Sequence, residues 1–441
     1  MTAPTASLAL AQHIQGLRAG ALNPSTREAA LRCVLDVVCA AAAGFNDPGV
    51  VAARDTAIAL FGHGTCGIWF SGKMAGAGAS LMANSSATAA LDLDDGCRMA
   101  RGHPGAAAIP AAWAMLHALP KGAQAAEEFL TAIIAGYEAG ARMSMGRLSY
   151  VPSGAWSPYA AIAAAGRLCR SPPEVMAQAF GIAAQCAPAL PGLAGLMGSD
   201  VKEGIPWGSV TGLAALRLAQ SGFTGPAQIF DEPSIFAADR ILDGLGDTPL
   251  IEQTYFKPFA CCRHIHAPLA AYLGLSAQYG FAPSDVMAVE VHTYRATFNL
   301  SNLPRPRTLV EAQYSVPYCV ALCAVHGPQA LVPMAAALLG DAGVSAFALR
   351  VTVQHDPQIE PLFPSRSPAR VVVTLRDGSR LASEVTDPKG DPMTPLSWQE
   401  LEGKFLMATA KALQPARQVQ VLDAIRLLRD GDIAPLREAL R

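Results

Sequence analysis

The sequence predicts a mainly α-helical protein with a smaller α+β part, and three observations carry that expectation. The first 250 or so residues read as one amphipathic or Ala-rich helical stretch after another. Alternating β-branched segments begin only beyond Tyr255. From Ser397 onward the apolar spacing is helical again. At 441 residues the chain exceeds one ordinary domain. The expected division is a helical domain over residues 1–255, an α+β domain over 256–394, and C-terminal helices over 395–441 that return to pack on the first domain.

Along the helical part, Ser25 and Thr26 are expected to cap REAALRCVLDVVCAAAAG, which Gly44 ends. EEFLTAIIAGYEAGARM, Glu127 to Met143, has apolar residues at helical intervals with small residues between them, so close helix packing is expected. Residues 163–168, 175–184 and 210–219 continue the pattern. In the second part, DVMAVEVHTY and FALRVTVQHD read as strands. ARVVVTLRDGSRLASEV reads as a hairpin closed by a two-residue type I′ turn at Asp377-Gly378. SVPYCVALCAVHG and ALVPMAAALLG read as helices between the strands.

Composition narrows the function classes. About half the residues are apolar and 15% are charged, which suits a large buried core. A net charge of -2 and the lack of a basic run speak against a nucleic-acid or anionic-membrane partner. No stretch approaches the roughly 20 apolar residues of a membrane span. The opening MTAPTASLALAQHIQG lacks a positive n-region and a sustained apolar run, so no signal peptide is expected. The ten scattered cysteines then read as reduced thiols of a cytoplasmic protein.

Four segments gather polar residues in apolar surroundings. LDLDDGCRMARGHPG crowds Asp92, Asp94 and Asp95 beside Arg98, Arg101 and His103. Carboxylates so close perturb one another's proton affinity, and the constrained Gly-His-Pro-Gly turn suits a proton-transfer imidazole. SDVKEGIPWGSVTG places Lys202 between two helices beside Trp207, where partial desolvation would lower its pKa or make it a carboxylate anchor. YFKPFACCRHIHAPLAA holds Lys257, Cys261, Cys262, Arg263, His264 and His266. Its spacing does not reproduce a zinc site, so no metal is expected, and a cationic cluster that receives substrate carboxylates fits better. EAQYSVPYCVALCAVHG carries Tyr314, Ser315 and Tyr318.

Taken in order, LDLDDGCRMARGHPGAAAIPAA, Lys202 with the later GFTGP, KPFACCRHIHAPL, QYSVPYCVA and KGDPMTPLSWQELEGKF resemble the MmgE/PrpD family over essentially the whole chain. That family includes 2-methylcitrate dehydratase, cis-aconitate decarboxylase and iminodisuccinate epimerase. The resemblance implies a large helical domain built from both chain ends with an inserted α+β lid. It further implies a homodimer, a site at the cleft between the domains, and no metal or organic cofactor. The substrate it implies is a small di- or tricarboxylate.

By motif, the resemblance points to His103, Lys202, Tyr318 and Asp92 as catalytic, with Lys257 opening the third segment. His103 would be the leading base or acid, Lys202 a second base or electrostatic stabiliser, and Tyr318 a proton or hydrogen-bond donor. Asp92 would orient a cation or relay a proton. Lys257, Arg263, His266, Arg98 and Cys262 are the expected substrate-binding residues. Gly96 stands where the decarboxylase-type pattern has threonine, and Cys262 where it has histidine. These departures favour dehydration or epimerisation over decarboxylation. The rival readings are a non-catalytic polycarboxylate binder and a Mg²⁺-dependent diphosphate enzyme using the DLDD stretch.

Overall fold

Prolines in the first turn, where the missing N–H costs no hydrogen bond, open many of the helices. In the computed structural model, which describes residues 4–119, 124–188, 190 and 198–441, about 57% of the chain is helical. Residues 1–3 of the opening stretch lie outside the described ones. The first part contains α1 (Ala6–Gly16), α2 (Pro24–Gly44), α3 (Pro48–Phe61), α4 (Ala77–Ala89) and α5 (Gly105–Ala114). It continues with α6 (Gln124–Met145), α7 (Ser157–Leu168), α8 (Pro173–Cys186), α9 (Ile205–Gln220) and the short α10 (Ala238–Leu242). Three strand pieces lie within this part, β1 (Cys66–Gly67), β2 (Met74–Ala75) and β3 (Gly96–Cys97), and β4 (Thr254–Tyr255) closes it.

Every residue of α7 is buried, because α5, α6, α8 and α9 surround it. Small residues make that layering possible. A Cβ at Gly136 of α6 would stand 2.6 Å from Cβ of Ala108 in α5 and 3.1 Å from the Ala160 carbonyl in α7.

The second part holds α11 (Arg263–Tyr279), β5 (Val286–Thr293), α12 (Leu309–Gln313), α13 (Val316–His326), α14 (Ala342–Ala348), β6 (Val351–His355), β7 (Arg370–Leu375) and β8 (Arg380–Ala382). Its strands form one sheet in the order β6-β5-β7-β8. β5 pairs parallel with β6 and antiparallel with β7, and β7 pairs antiparallel with β8. α11 and α13 pack on this sheet. α15 (Trp398–Thr409), α16 (Pro415–Arg429) and α17 (Ala434–Ala439) follow, and α15 and α16 pack on α2. One apolar core runs continuously from α1 to α17 through both parts. No helix among the described residues is long and apolar enough to cross a membrane.

Local expectations fail at four places. The cap of α2 is Asn23, while Ser25 and Thr26 lie inside the helix with their hydroxyls on Glu252. β6 begins only at Val351, because Phe347 and Ala348 still belong to α14. ALVPMAAALLG makes short 3₁₀ turns rather than a helix, because Pro333 lacks a backbone donor. The β7–β8 hairpin is not closed by a type I′ turn, since only Gly378 has positive φ (86°) and Asp377 does not. Its amide reaches the Leu375 carbonyl at 3.1 Å, and the Leu375 amide reaches Ser379 at 2.9 Å. That is a three-residue loop ending in a left-handed glycine.

Candidate active site

The DLDD segment leaves the C-terminus of α4 with Asp92 in the left-handed region, φ 52°. The next two residues, Gly96 and Cys97, pair with Tyr255 and Thr254 at the close of the first part. A Cβ at Gly96 would fall 2.3 Å from the Tyr255 ring and hydroxyl, so no threonine fits there while Tyr255 keeps its place. The strand pair fixes the height of the loop, and its end delivers His103 to the start of α5.

His103 is held at two points. Its amide donates to Ser153 Oγ at 3.1 Å, and its Nδ1 lies 2.7 Å from the Asp95 carbonyl. A carbonyl only accepts, so Nδ1 carries a proton here, and in the neutral form of the ring Nε2 is the nitrogen with the lone pair. Nε2 lies 3.7 Å from Asp92 Oδ1 and 4.0 Å from Glu203 Oε1. Either carboxylate would stabilise the imidazolium formed when Nε2 takes a proton. The Glu203 carboxylate accepts from the amide and hydroxyl of Ser153, which steadies the residue that steadies His103.

Asp95 braces the same loop from behind, accepting from the Tyr137 hydroxyl and, at 3.2 Å, from the Gly105 amide. Burial, reinforced by Asp36, pushes its carboxyl up to about 7.

Two lysines flank Asp92 with different duties. Lys202, itself at φ 48°, precedes α9 and donates to the carbonyls of Ala89 (2.9 Å) and Ala90 (3.1 Å). These carbonyls end α4, where the helix dipole is negative. Burial lowers the Lys202 pKa, and Asp92 and Asp94 partly oppose that. Lys257 is wholly buried, and its Nζ lies 3.0 Å from Asp92 Oδ1 and 2.9 Å from the Asp92 carbonyl. Burial works against this ammonium, but Asp92 and Asp94 outweigh it and hold its pKa above the ordinary lysine value. Burial likewise disfavours the Asp92 carboxylate, yet Lys257, Lys202 and His103 hold it well below the usual carboxylate range.

A cavity of about 470 Å³ opens over these groups, lined by Asp92, Asp94, His103, Lys202, Glu203 and Tyr314 among others. The structure therefore brings three of the four expected catalytic residues together. Tyr318 stands elsewhere, its hydroxyl donating to the Leu338 carbonyl at 2.8 Å. One helical turn earlier, Tyr314 lines the cavity with its hydroxyl 3.5 Å from Asp92 Oδ1.

The expected substrate binders are not on the cavity wall. Arg98 and Arg263 both bind Asp391, at 2.5 and 2.8 Å. Arg263 also donates to the carbonyls of Pro388 and Lys389, and Arg98 to Ser367. His266 lies between the carbonyls of Phe259 and Cys262, and burial pushes its pKa well below the ordinary value. The Cys262 amide donates to Gln313, and burial pushes its thiol up. Arg101 covers the Tyr150 ring.

Glu203 and Ser153 were not singled out from the sequence. Glu203 had a signal in its adjacency to Lys202, whereas Ser153 had none. Asp92, Asp94 and His103 also offer ligand atoms within 4.8 Å of one another, a set that a cation would fit. Lys257 already places a positive charge against Asp92 there.

Two proteins of Aspergillus terreus, each named cis-aconitate decarboxylase, are 25% and 24% identical to the chain, over 94% of it and 91% of each relative. The family model described as the MmgE/PrpD N-terminal domain matches residues 8–242, and that of the MmgE/PrpD C-terminal domain matches 259–429. The first ends and the second begins on either side of β4, the strand that reaches back to the site loop. With both halves matched in order around one cavity, the chain belongs to the MmgE/PrpD family.

Proposed function

We propose that this chain is a cofactor-independent lyase or isomerase that removes a proton from the carbon next to a carboxylate of a small acid. One observation carries the reading: His103, its Nδ1 engaged by the Asp95 carbonyl, lines the same cavity as Lys202. Nε2 takes the α-proton. The electron pair left behind spreads into the carboxylate, giving an enediolate-like charge that the Lys202 ammonium stabilises. Asp92 and Glu203 stabilise the imidazolium.

In the dehydratase-like course the pair then forms the C=C bond as the β-carbon–oxygen bond breaks. The imidazolium returns its proton to the departing oxygen, so that water leaves. In the epimerase-like course the carbon is reprotonated from the opposite face, a task for the Lys202 ammonium with its lowered pKa. Tyr314, rather than Tyr318, is the hydroxyl placed to donate to the substrate. Decarboxylation is the activity in the names of the two relatives. Gly96 against Tyr255 and the half-buried Cys262 mark where this chain departs from the decarboxylase-type pattern. A homodimer in the cytoplasm remains the assembly and compartment proposed on the resemblance.

The test is incubation with small hydroxy and unsaturated acids in D₂O, followed by proton NMR. Solvent exchange, elimination or epimerisation at the α-carbon is expected for at least one acid. Inert α-protons across the panel would overturn the proposal.

A further inference from the structure

We infer that Ser153 is a positioning residue, the joint that holds His103 and the Lys202–Glu203 segment at a fixed separation across the cavity. The inference rests on the proposed function in taking His103 and Lys202 as the groups that act on the substrate. Ser153 opens the short 3₁₀ turn Ser153–Ala155 that leads into α7, and its side chain is wholly buried. One hydroxyl serves both sides. Its Oγ accepts from the His103 amide at 3.1 Å and donates to Glu203 Oε2, which also accepts from the Ser153 amide at 2.9 Å. A hydroxyl has one proton to give and two lone pairs to receive with, so both bonds form at once.

Bare backbone lets the turn reach both segments. Gly102, beside His103, lies so close that a Cβ there would collide with Ser153 Oγ. On the other side the Gly154 amide donates to the Glu203 carbonyl at 3.0 Å, and a Cβ on Gly154 would collide with that same oxygen. Gly208, in the first turn of α9, approaches the Gly154 carbonyl in the same way. Side chains at these three positions would push the turn away from its neighbours.

Lys202 is tied separately, by Nζ on the Ala89 and Ala90 carbonyls, so Ser153 and Lys202 Nζ fix the segment at two points. Proton removal needs the imidazole at the α-proton and the ammonium at the carboxylate together. An error in their separation therefore costs turnover more than binding.

The test is Ser153→Ala in the full chain, which deletes the hydroxyl and leaves the amide bond to Glu203. Amide hydrogen–deuterium exchange read by mass spectrometry is expected to show residues 96–108 and 199–208 losing protection together, each by a factor on the order of 10, while the thermal melt stays cooperative. Glu203→Ala cuts the joint from the other side and should loosen 96–108 as well. Loosening of one segment alone, no loosening of either, or no effect of Glu203→Ala on 96–108 would each overturn the inference. Loss of cooperative folding in Ser153→Ala would do so too, since the hydroxyl would then hold the fold rather than the site. With an acid that the parent turns over, Ser153→Ala should lower kcat by a factor on the order of 10 or more and leave KM within about threefold. A raised KM with unchanged kcat would make Ser153 a binding residue and overturn the positioning role. The amide measurement needs no substrate. Coupled loosening in a protein that exchanges no α-proton sinks the proposed chemistry and leaves the joint standing, whereas independent segments in an active enzyme do the reverse.

Discussion

Lys257 grips Asp92 twice, through the carboxylate at 3.0 Å and through the main-chain carbonyl at 2.9 Å. The double contact explains how a non-glycine residue persists at φ 52° directly under the cavity. It also assigns the lysine a positioning duty: its charge shapes the loop that carries His103.

Replacing His103 by alanine should lower turnover by a factor on the order of 10² or more while the fold survives, as loss of a general acid/base does. Steady-state rates and a thermal melt of the same preparation check this. Activity within a few-fold of the parent would remove His103 from the chemistry.

Lys202 separates charge from proton transfer. Lys202→Met should abolish α-proton exchange or confine it to one stereochemical face. Arginine keeps the cation but does not release its proton. Recovery of most activity in Lys202→Arg would make Lys202 an anchor only; a dead arginine variant is expected if the lysine reprotonates carbon.

Of the two tyrosines, Tyr314→Phe should slow turnover at least tenfold through loss of a donor at the transition state. Tyr318→Phe should leave the rate within about twofold and cost about 1 kcal/mol of stability, the worth of one hydrogen bond to Leu338. Equal effects of the two changes on kcat would contradict the geometry.

Asp95 predicts a pH dependence of stability. Its folded pKa is raised to about 7, above the ordinary 3.8, so the folded state holds this proton more tightly than the unfolded one. The stabilisation is complete below pH 4, is lost as pH rises toward 7, and changes no further above that. Asp95→Asn keeps an acceptor oxygen for the Gly105 amide, presents a donor to the Tyr137 hydroxyl, and does not ionise. Its stability relative to the parent should therefore climb by a few kcal/mol between pH 4 and 7, measured by denaturant melts. A difference that is flat with pH would show that Asp95 is not held protonated.

Dialysis against a strong chelator should leave activity unchanged. Loss that zinc or magnesium restores would instead assign a cation to Asp92, Asp94 and His103.

What could be read in advance followed the range of the interactions. Helical spacing and the switch to β-branched residues are local, and they gave the fold class. His103, Lys202 and Asp92 were visible because a charged group in an apolar segment is anomalous wherever it ends up. The duties of Arg98 and Arg263 were not, because Asp391, their shared partner, is 293 and 128 residues away. Residue type alone suggested that they bind a substrate's carboxylate, and the protein supplies that carboxylate itself. Tyr318 and Tyr314 are four residues apart, and Ser315, the N-cap of α13, separates the one on the helix from the one in the cavity wall.

The return of α15 to α2 sets an order of assembly. Buried Lys404 reaches Asp36 at 2.5 Å and the carbonyl of Leu93, next to Asp92, at 2.8 Å. On the ribosome Asp36 emerges early and its counter-ion follows 368 residues later. Until then the helical layer would bury an uncompensated charge, at a cost of about 3–5 kcal/mol. The nascent chain therefore keeps its DLDD turn unset until the sheet-bearing part and α15 have both been made.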